Sequence, residues 1–471
     1  MRHRLILAAA LALLPAAGAW AAPAARSCHL PGSEDALRCT RLEVPLDYRN
    51  PAAGKLSLHV AVAPAYREAA KPDPLFVLAG GPGEAGSDVL PLLNVAFKRV
   101  RATRDIVFID QRGTGLSGKL DCPTPPGADY MSDEQADSAV RACIAAVKQP
   151  LSAYTTEAAA RDIEQVRQAL GYGKVNVWGG SYGTRLAQAY ARLYPASVRA
   201  LALDGVAAPE QVIPAGGRDG QAALDKLFAQ CERDAGCRKA YPNLRAEFDG
   251  LAAKVAQGVK LSLPDPRTAR QADLTMTSAR FLGTIHNMLY NPADARRLPF
   301  IVHSAAQGNW GPFVARQNAA TDFSSEGHVS LLLHLAVVCA EDVPRMTPQL
   351  IASDAAVLTT PLAKRLPPLC QAAKVPAVPF KEPAAIEAPA LLLSGALDPV
   401  TPPHRAASAA KRMPKAQQVV VENAGHGVSQ LGCAPRVLRA FLDNPSAKVD
   451  ARCLSELPAP TFQLGPAGPQ P

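Results

Sequence analysis

Short, almost unbroken apolar runs alternate with amphipathic stretches through the first part of the chain. "PLFVLAGGPG" (74–83), "DIVFIDQRGTG" (105–115) and "VRALALDGV" (198–206) are each too short for a helix and end in glycine turns, as strands covered on both faces do. "KLSLHVAVAPAY" (55–66) alternates apolar and polar positions, the pattern of a half-buried strand. Between these, "TEAAARDIEQVRQALGYG" (156–173) sets Ile163, Val166 and Leu170 on one helical face and stops at glycine. "KVNVWGGSYGTRLAQAYARLYP" (174–195) runs from a β-rich segment into a helix-like one. Strand and helix in alternation predict an α/β fold with a mostly parallel central sheet.

From about residue 207 the rhythm changes. "GQAALDKLFAQCERDAGC", "SARFLGTIHNMLY" and "HVSLLLHLAVVCAED" read as helices, and "VKLSLPDPRTARQADLTM" reads as a hairpin. The sheet pattern resumes with "APALLLSGALDPV" (388–400), then the helix "PPHRAASAAKRM", the strand "AQQVVVENAGHG" and the helix "PRVLRAFLDN". The organisation this predicts is an α/β core over 22–206 and 388–456, interrupted by a mainly helical cap over 207–387. The proline- and glycine-rich tail, 457–471, is expected to be disordered.

The first residues change the setting. A basic start (Arg2, Arg4), an apolar run broken by Pro15, and small residues at Ala19 and Ala21 mark 1–21 as a secretory signal peptide. The run is shorter than the roughly 20 residues a membrane span needs, so no anchor is expected after cleavage. The formal charge of +9 comes from basic residues scattered along the chain. That is a solvated basic surface and not a nucleic-acid footprint. The ten cysteines follow the signal and fall into five neighbouring couples. In an exported chain they predict disulfides 28–39, 122–143, 231–237, 339–370 and 433–453. None has the spacing of a zinc site, and no metal or other cofactor is expected.

Ser181 lies in a GxSxG frame, which chance alone would produce in roughly one chain in six of this length. A serine hydroxyl becomes a nucleophile only when a base takes its proton and a carboxylate orients that base. Both partners follow, each just past a strand: Asp398 in "GALDPVTPP" and His426 in "AGHG". The order Ser, Asp, His is that of an α/β-hydrolase sheet, whose catalytic groups project from loops at the carboxyl ends of the strands. The oxyanion of an acyl-transfer intermediate needs N–H donors. The Tyr182 N–H, after the nucleophile, and Gly80 or Gly81, in the loop "AGGPG", are the candidates.

Bland readings compete with each part. Asp398 sits where it would cap the helix near Pro402, and Asp204, which also ends a strand, is the rival acid. Asp110 and Arg112, in "DQRGTG", are expected to pair and brace the oxyanion loop, with contact between Arg112 and substrate as the alternative, and Glu84 and Asp88 just beyond that loop are unranked candidates to face the pocket.

"GGPGEAGS", "DQRGTGLS", "GGSYGTRLA", "LALDGV", "LLLSGALDPVTPP" and "AGHG" together resemble the prolyl and tripeptidyl aminopeptidase family of α/β-hydrolases. The prolyl branch usually carries histidine before GGPG, where this chain has Ala79, so the likeness is to the tripeptidyl branch. The resemblance implies a cofactor-free serine exopeptidase acting on peptides with a free amino terminus, with Ser181, Asp398 and His426 as its triad. It also implies an acidic group in the cap to receive the substrate ammonium, and Glu341 and Asp342 in "VVCAEDVP" are the candidates. A carboxylesterase with the same triad and a non-catalytic binding protein on the same fold are the alternatives. Epoxide hydrolase or dehalogenase chemistry needs a carboxylate where Ser181 stands.

Overall fold

The computed structural model describes residues 25–125, 127–266, 268–319, 328–354, 358 and 360–468; the expected signal peptide lies outside them. Eleven strands are found among the described residues: β1 (Arg26–Cys28), β2 (Leu37–Pro45), β3 (Lys55–Ala63), β4 (Leu75–Leu78), β5 (Ile106–Ile109), β6 (Val175–Gly180), β7 (Val198–Asp204), β8 (Val259–Pro264), β9 (Gln271–Met276), β10 (Ala390–Gly395) and β11 (Ala416–Val421). Nine form one sheet in the order β1-β2-β3-β5-β4-β6-β7-β10-β11. The stretch from β5 to β11 is parallel, and β1, β2 and β3 extend it antiparallel.

The apolar runs are continuous because both faces of the parallel strands are covered. Phe76, Val107, Val177, Leu201 and Leu392 point to one side, into a core shared with the helices α1 (Thr156–Ala169) and α2 (Tyr182–Leu193). Their neighbours Leu75, Phe108, Trp178, Ala202 and Leu391 point to the other. Thr155 caps α1 by accepting from the Ala158 N–H, and Gly171, at φ 71°, ends its turn in the left-handed region.

After β7 the chain leaves the sheet and returns at β10, which pairs directly with β7. The excursion includes α3 (Gly217–Arg233), the antiparallel β8–β9 hairpin, α4 (Ser278–Leu289), α5 (Leu331–Glu341) and α6 (Thr360–Ala373). Much of it packs around its own aromatic core, in which Phe281 stacks on Phe248 and Phe313. The chain closes with α7 (Pro403–Ala410) and α8 (Ala434–Asp443). All five expected disulfides are present. Among the described residues no helix is long and apolar enough to cross a membrane.

The tail corrects the compositional expectation of disorder up to residue 468. Phe462 is buried in the aromatic core with the Arg296 guanidinium 4.0 Å over its ring. The Gln463 N–H donates to the Arg296 carbonyl, and the Tyr241 hydroxyl donates to the Gln463 carbonyl. One aromatic in a slot and two backbone hydrogen bonds are enough to order a segment whose proline content says nothing about its partners.

Candidate active site

The glycines around Ser181 are dictated by contact. A Cβ on Gly183 would stand 2.1 Å from the Leu78 carbonyl oxygen, and one on Gly179 would stand 2.4 Å from that of Gly183. No side chain fits either position, so the turn from β6 into α2 packs backbone on backbone against β4. Ser181 takes φ 54°, ψ −124°, a conformation costly for a non-glycine residue. It is held there by its N–H, which donates to the Asp204 carbonyl, and by its own carbonyl, which accepts from Thr184 Oγ1 at 2.6 Å. The strain lifts the hydroxyl off the sheet into a cavity of about 220 Å³.

His426 lines the same cavity, on the loop after β11. Its backbone N–H donates to the Tyr290 carbonyl just past α4, and the Tyr290 ring meets the imidazole edge-on at 5.0 Å. The helical excursion thus fixes the histidine loop. Nδ1 donates to Asp398 Oδ2 at 2.8 Å, which leaves Nε2 as the nitrogen able to accept a proton. Burial works against the imidazolium, but the charge and hydrogen bond of Asp398 prevail and raise the His426 pKa above its ordinary value. Asp398 is raised by burial and lowered more by His426, so it stays ionised.

Asp398 makes contacts of both kinds that the sequence allowed. Oδ1 accepts the N–H groups of Val400 and Thr401, as a turn-capping aspartate does, and Oδ2 faces the histidine. Thr401, which sequence reasoning missed, donates its hydroxyl to Oδ2 at 2.6 Å and lies 3.1 Å from His426 Nδ1. Its only signal in the sequence is a hydroxyl three residues after the acid.

Asp204 has a different task. Its carboxylate accepts from the N–H groups of Val428 and Ser429 at 2.7–3.0 Å, pinning the segment behind His426. Burial raises its pKa against those hydrogen bonds.

The GGPG loop lies against Ser181. The point where a Cβ on Gly80 would stand is 3.0 Å from Ser181 Cβ and 3.5 Å from Glu84 Oε2. Gly81 and Gly83, at φ 102° and 119°, give the loop a path that side chains resist, and a Cβ on Gly83 would strike the Ser330 carbonyl at 2.7 Å. Gln111 anchors the loop through the Ala79 carbonyl, and His334 of α5 donates to that of Pro82. Tyr182 is the first residue of α2, where backbone N–H groups lack intrahelical acceptors, so its amide is placed for an oxyanion. Of the two loop candidates, the Gly80 N–H donates to Glu84 Oε2 at 2.9 Å.

Two expectations are corrected. Asp110 and Arg112 do not pair: Arg112 makes a two-point contact with Asp162 and donates to the carbonyls of Pro45, Leu46 and Ala153, while Asp110 accepts from the N–H groups of Ser87 and Leu116. Glu341 and Asp342 do not line the cavity. Glu341 accepts from the Thr156 N–H and hydroxyl, one on each oxygen, and Asp342 is enclosed by Arg185 and Arg345. Glu84, left level with Asp88 by the sequence, is the one in the cavity; Asp88 accepts from the Ala85 N–H and lies 3.4 Å from His328. The rest of the cavity wall includes Val89, Leu92 and Trp178.

The alpha/beta hydrolase fold family matches this chain over residues 73–429. The serine protease Hip1 of Mycobacterium tuberculosis is 32% identical over 221 residues, covering 42% of this chain and 42% of its own length. The tripeptidyl aminopeptidase of Streptomyces coelicolor is 28% identical over 194 residues, 37% of this chain and 36% of that protein. The chain therefore matches less than half the length of these curated relatives. Among solved structures, a thermophilic esterase from Thermogutta terrifontis aligns with 87% of this chain and 100% of its own at 16% identity, with a TM-score of 0.38.

Proposed function

The chain belongs to the alpha/beta hydrolase fold family, and from that premise we propose that it is an exported serine aminopeptidase, releasing short peptides or single residues from free amino termini. The observation that carries the reading is that His426, hydrogen-bonded to Asp398, lines the same cavity as the strained Ser181. The printed names of the relatives, serine protease and tripeptidyl aminopeptidase, support a peptide substrate. The signal-like start and five disulfides support export.

In this reading His426 Nε2 takes the proton from Ser181 Oγ as the oxygen attacks the scissile carbonyl. Asp398 stabilises the imidazolium. The Tyr182 N–H and an amide of the GGPG loop receive the oxyanion, and collapse of the intermediate expels the amine, which takes its proton from His426. Water, activated by the same histidine, then frees the acyl group from Ser181. A panel of peptide anilides with free and blocked amines, beside short-chain aryl esters, tests the proposal. Cleavage of free-amine anilides is expected; fast ester turnover without anilide cleavage would establish a carboxylesterase instead.

A further inference from the structure

The acidic pair expected to receive the substrate ammonium lies outside the cavity lining and is engaged by protein groups, which leaves the question of what receives it. Among the residues lining the cavity, the carboxylates are Glu84 and Asp204, and Asp204 is committed to the histidine loop. Glu84 stands beside Ser181, and its Oε2 holds the Gly80 N–H, one of the two loop amides proposed for the oxyanion. A carboxylate left in that position would repel the negative charge that develops on the substrate oxygen. The same carboxylate is the natural partner of a cation arriving with the substrate.

We infer, on the basis of the aminopeptidase reading, that Glu84 receives the substrate's α-ammonium and in doing so releases the Gly80 N–H to the oxyanion. Recognition of the free terminus and assembly of the oxyanion hole are then one event, and an acylated substrate lacks the charge that triggers it. The distances also set the length of the product. Glu84 Oε2 lies 2.9 Å from the Gly80 nitrogen, so an ammonium held by it stands close to a carbonyl whose oxygen that nitrogen receives. An extended tripeptide would carry its ammonium about 10 Å from the bond to be cut, at the outer limit of that arrangement. The site therefore favours single residues from the terminus, with apolar side chains facing Val89, Leu92 and Trp178.

The test uses the whole mature enzyme with leucine p-nitroanilide, its N-acetyl derivative, a free-amine tripeptide anilide and p-nitrophenyl butyrate, in wild type, Glu84→Ala and Glu84→Gln. Wild type is expected to prefer leucine anilide over both other anilides. Both variants should lose roughly 30-fold in kcat/KM on leucine anilide, the scale of one charge-assisted hydrogen bond. Glu84→Ala should gain several-fold on the acetylated anilide and the ester, because it uncovers the Gly80 N–H; Glu84→Gln, whose amide oxygen still covers it, should not. A parallel loss on all substrates in both variants would reduce Glu84 to a scaffold and overturn the inference. So would a wild type that removes an intact tripeptide faster than leucine, with the aminopeptidase reading left standing. A wild type that turns over only the ester would remove the aminopeptidase reading itself, and the inference with it.

Discussion

Replacing Asp204 by Asn separates two carboxylates that sit at equivalent places, each at the end of a parallel strand and each tied to the histidine loop. Asp204 serves two buried backbone donors, the N–H groups of Val428 and Ser429. An asparagine oxygen keeps one of them and turns its NH₂ toward the other. The change loses a charge-assisted hydrogen bond and strands a buried N–H, at about 1.5–3 and 1–3 kcal/mol, partly offset because a neutral amide is less costly to bury than a carboxylate. The net destabilisation expected is about 2–4 kcal/mol, which at about 1 °C per kcal/mol for a chain of this size lowers Tm by roughly 2–4 °C. Because His426 keeps its hydrogen bond to Asp398, kcat should fall by no more than about tenfold. Asp398→Asn should do the reverse, leaving the fold largely intact and lowering kcat by about 10⁴, as loss of the orienting carboxylate does in serine triads. Thermal unfolding and anilide kinetics on the two variants give the comparison. If Asp204→Asn were as inactive as Asp398→Asn with an unchanged Tm, Asp204 would be the acid and the assignment would be wrong.

Two further outcomes follow from the geometry. His426 must be neutral to act as the base, and Asp398 holds its pKa above the ordinary 6.5 despite burial, so kcat/KM should rise with pH to a half-maximum above 6.5. A wild-type midpoint at or below 6.5 would contradict this, and Asp398→Asn should move the midpoint down. Arg112→Leu leaves Asp162 buried without its cation and should cost about 3–5 kcal/mol in denaturant unfolding, with part of the loss recovered in the double variant that adds Asp162→Asn. No recovery would deny the pairing.

What the sequence disclosed about this protein is what is locally determined. The parallel strands were legible because burial on both faces leaves no polar alternation, as in Leu391 and Leu392, which point to opposite cores. The turn around Ser181 was legible because Gly179 and Gly183 admit no other residue, and the cysteine couples because each closes a short loop. The roles of Glu341 and Asp342 were not legible. Their partners Thr156 and Arg185 lie 185 and 157 residues away, on helices of the sheet layer, and an acidic pair looks the same whether it meets a substrate or a buried arginine. Arg112 misled for the same reason: its partner is Asp162 on α1, 50 residues on, and not the aspartate two places before it. Glu84 and Asp88 differ in role through one turn of backbone, which sends Asp88 to the Ala85 N–H and Glu84 to Gly80.

The central claim is that Ser181 is the nucleophile, activated through His426. It is tested most directly by treating the purified protein with a fluorophosphonate and locating the adduct by peptide mass spectrometry. The account predicts one adduct, on Ser181, formed rapidly in wild type, lost in Ser181→Ala and slowed by orders of magnitude in His426→Ala. An adduct on another residue, or an unlabelled wild type that still hydrolyses substrate, would contradict it.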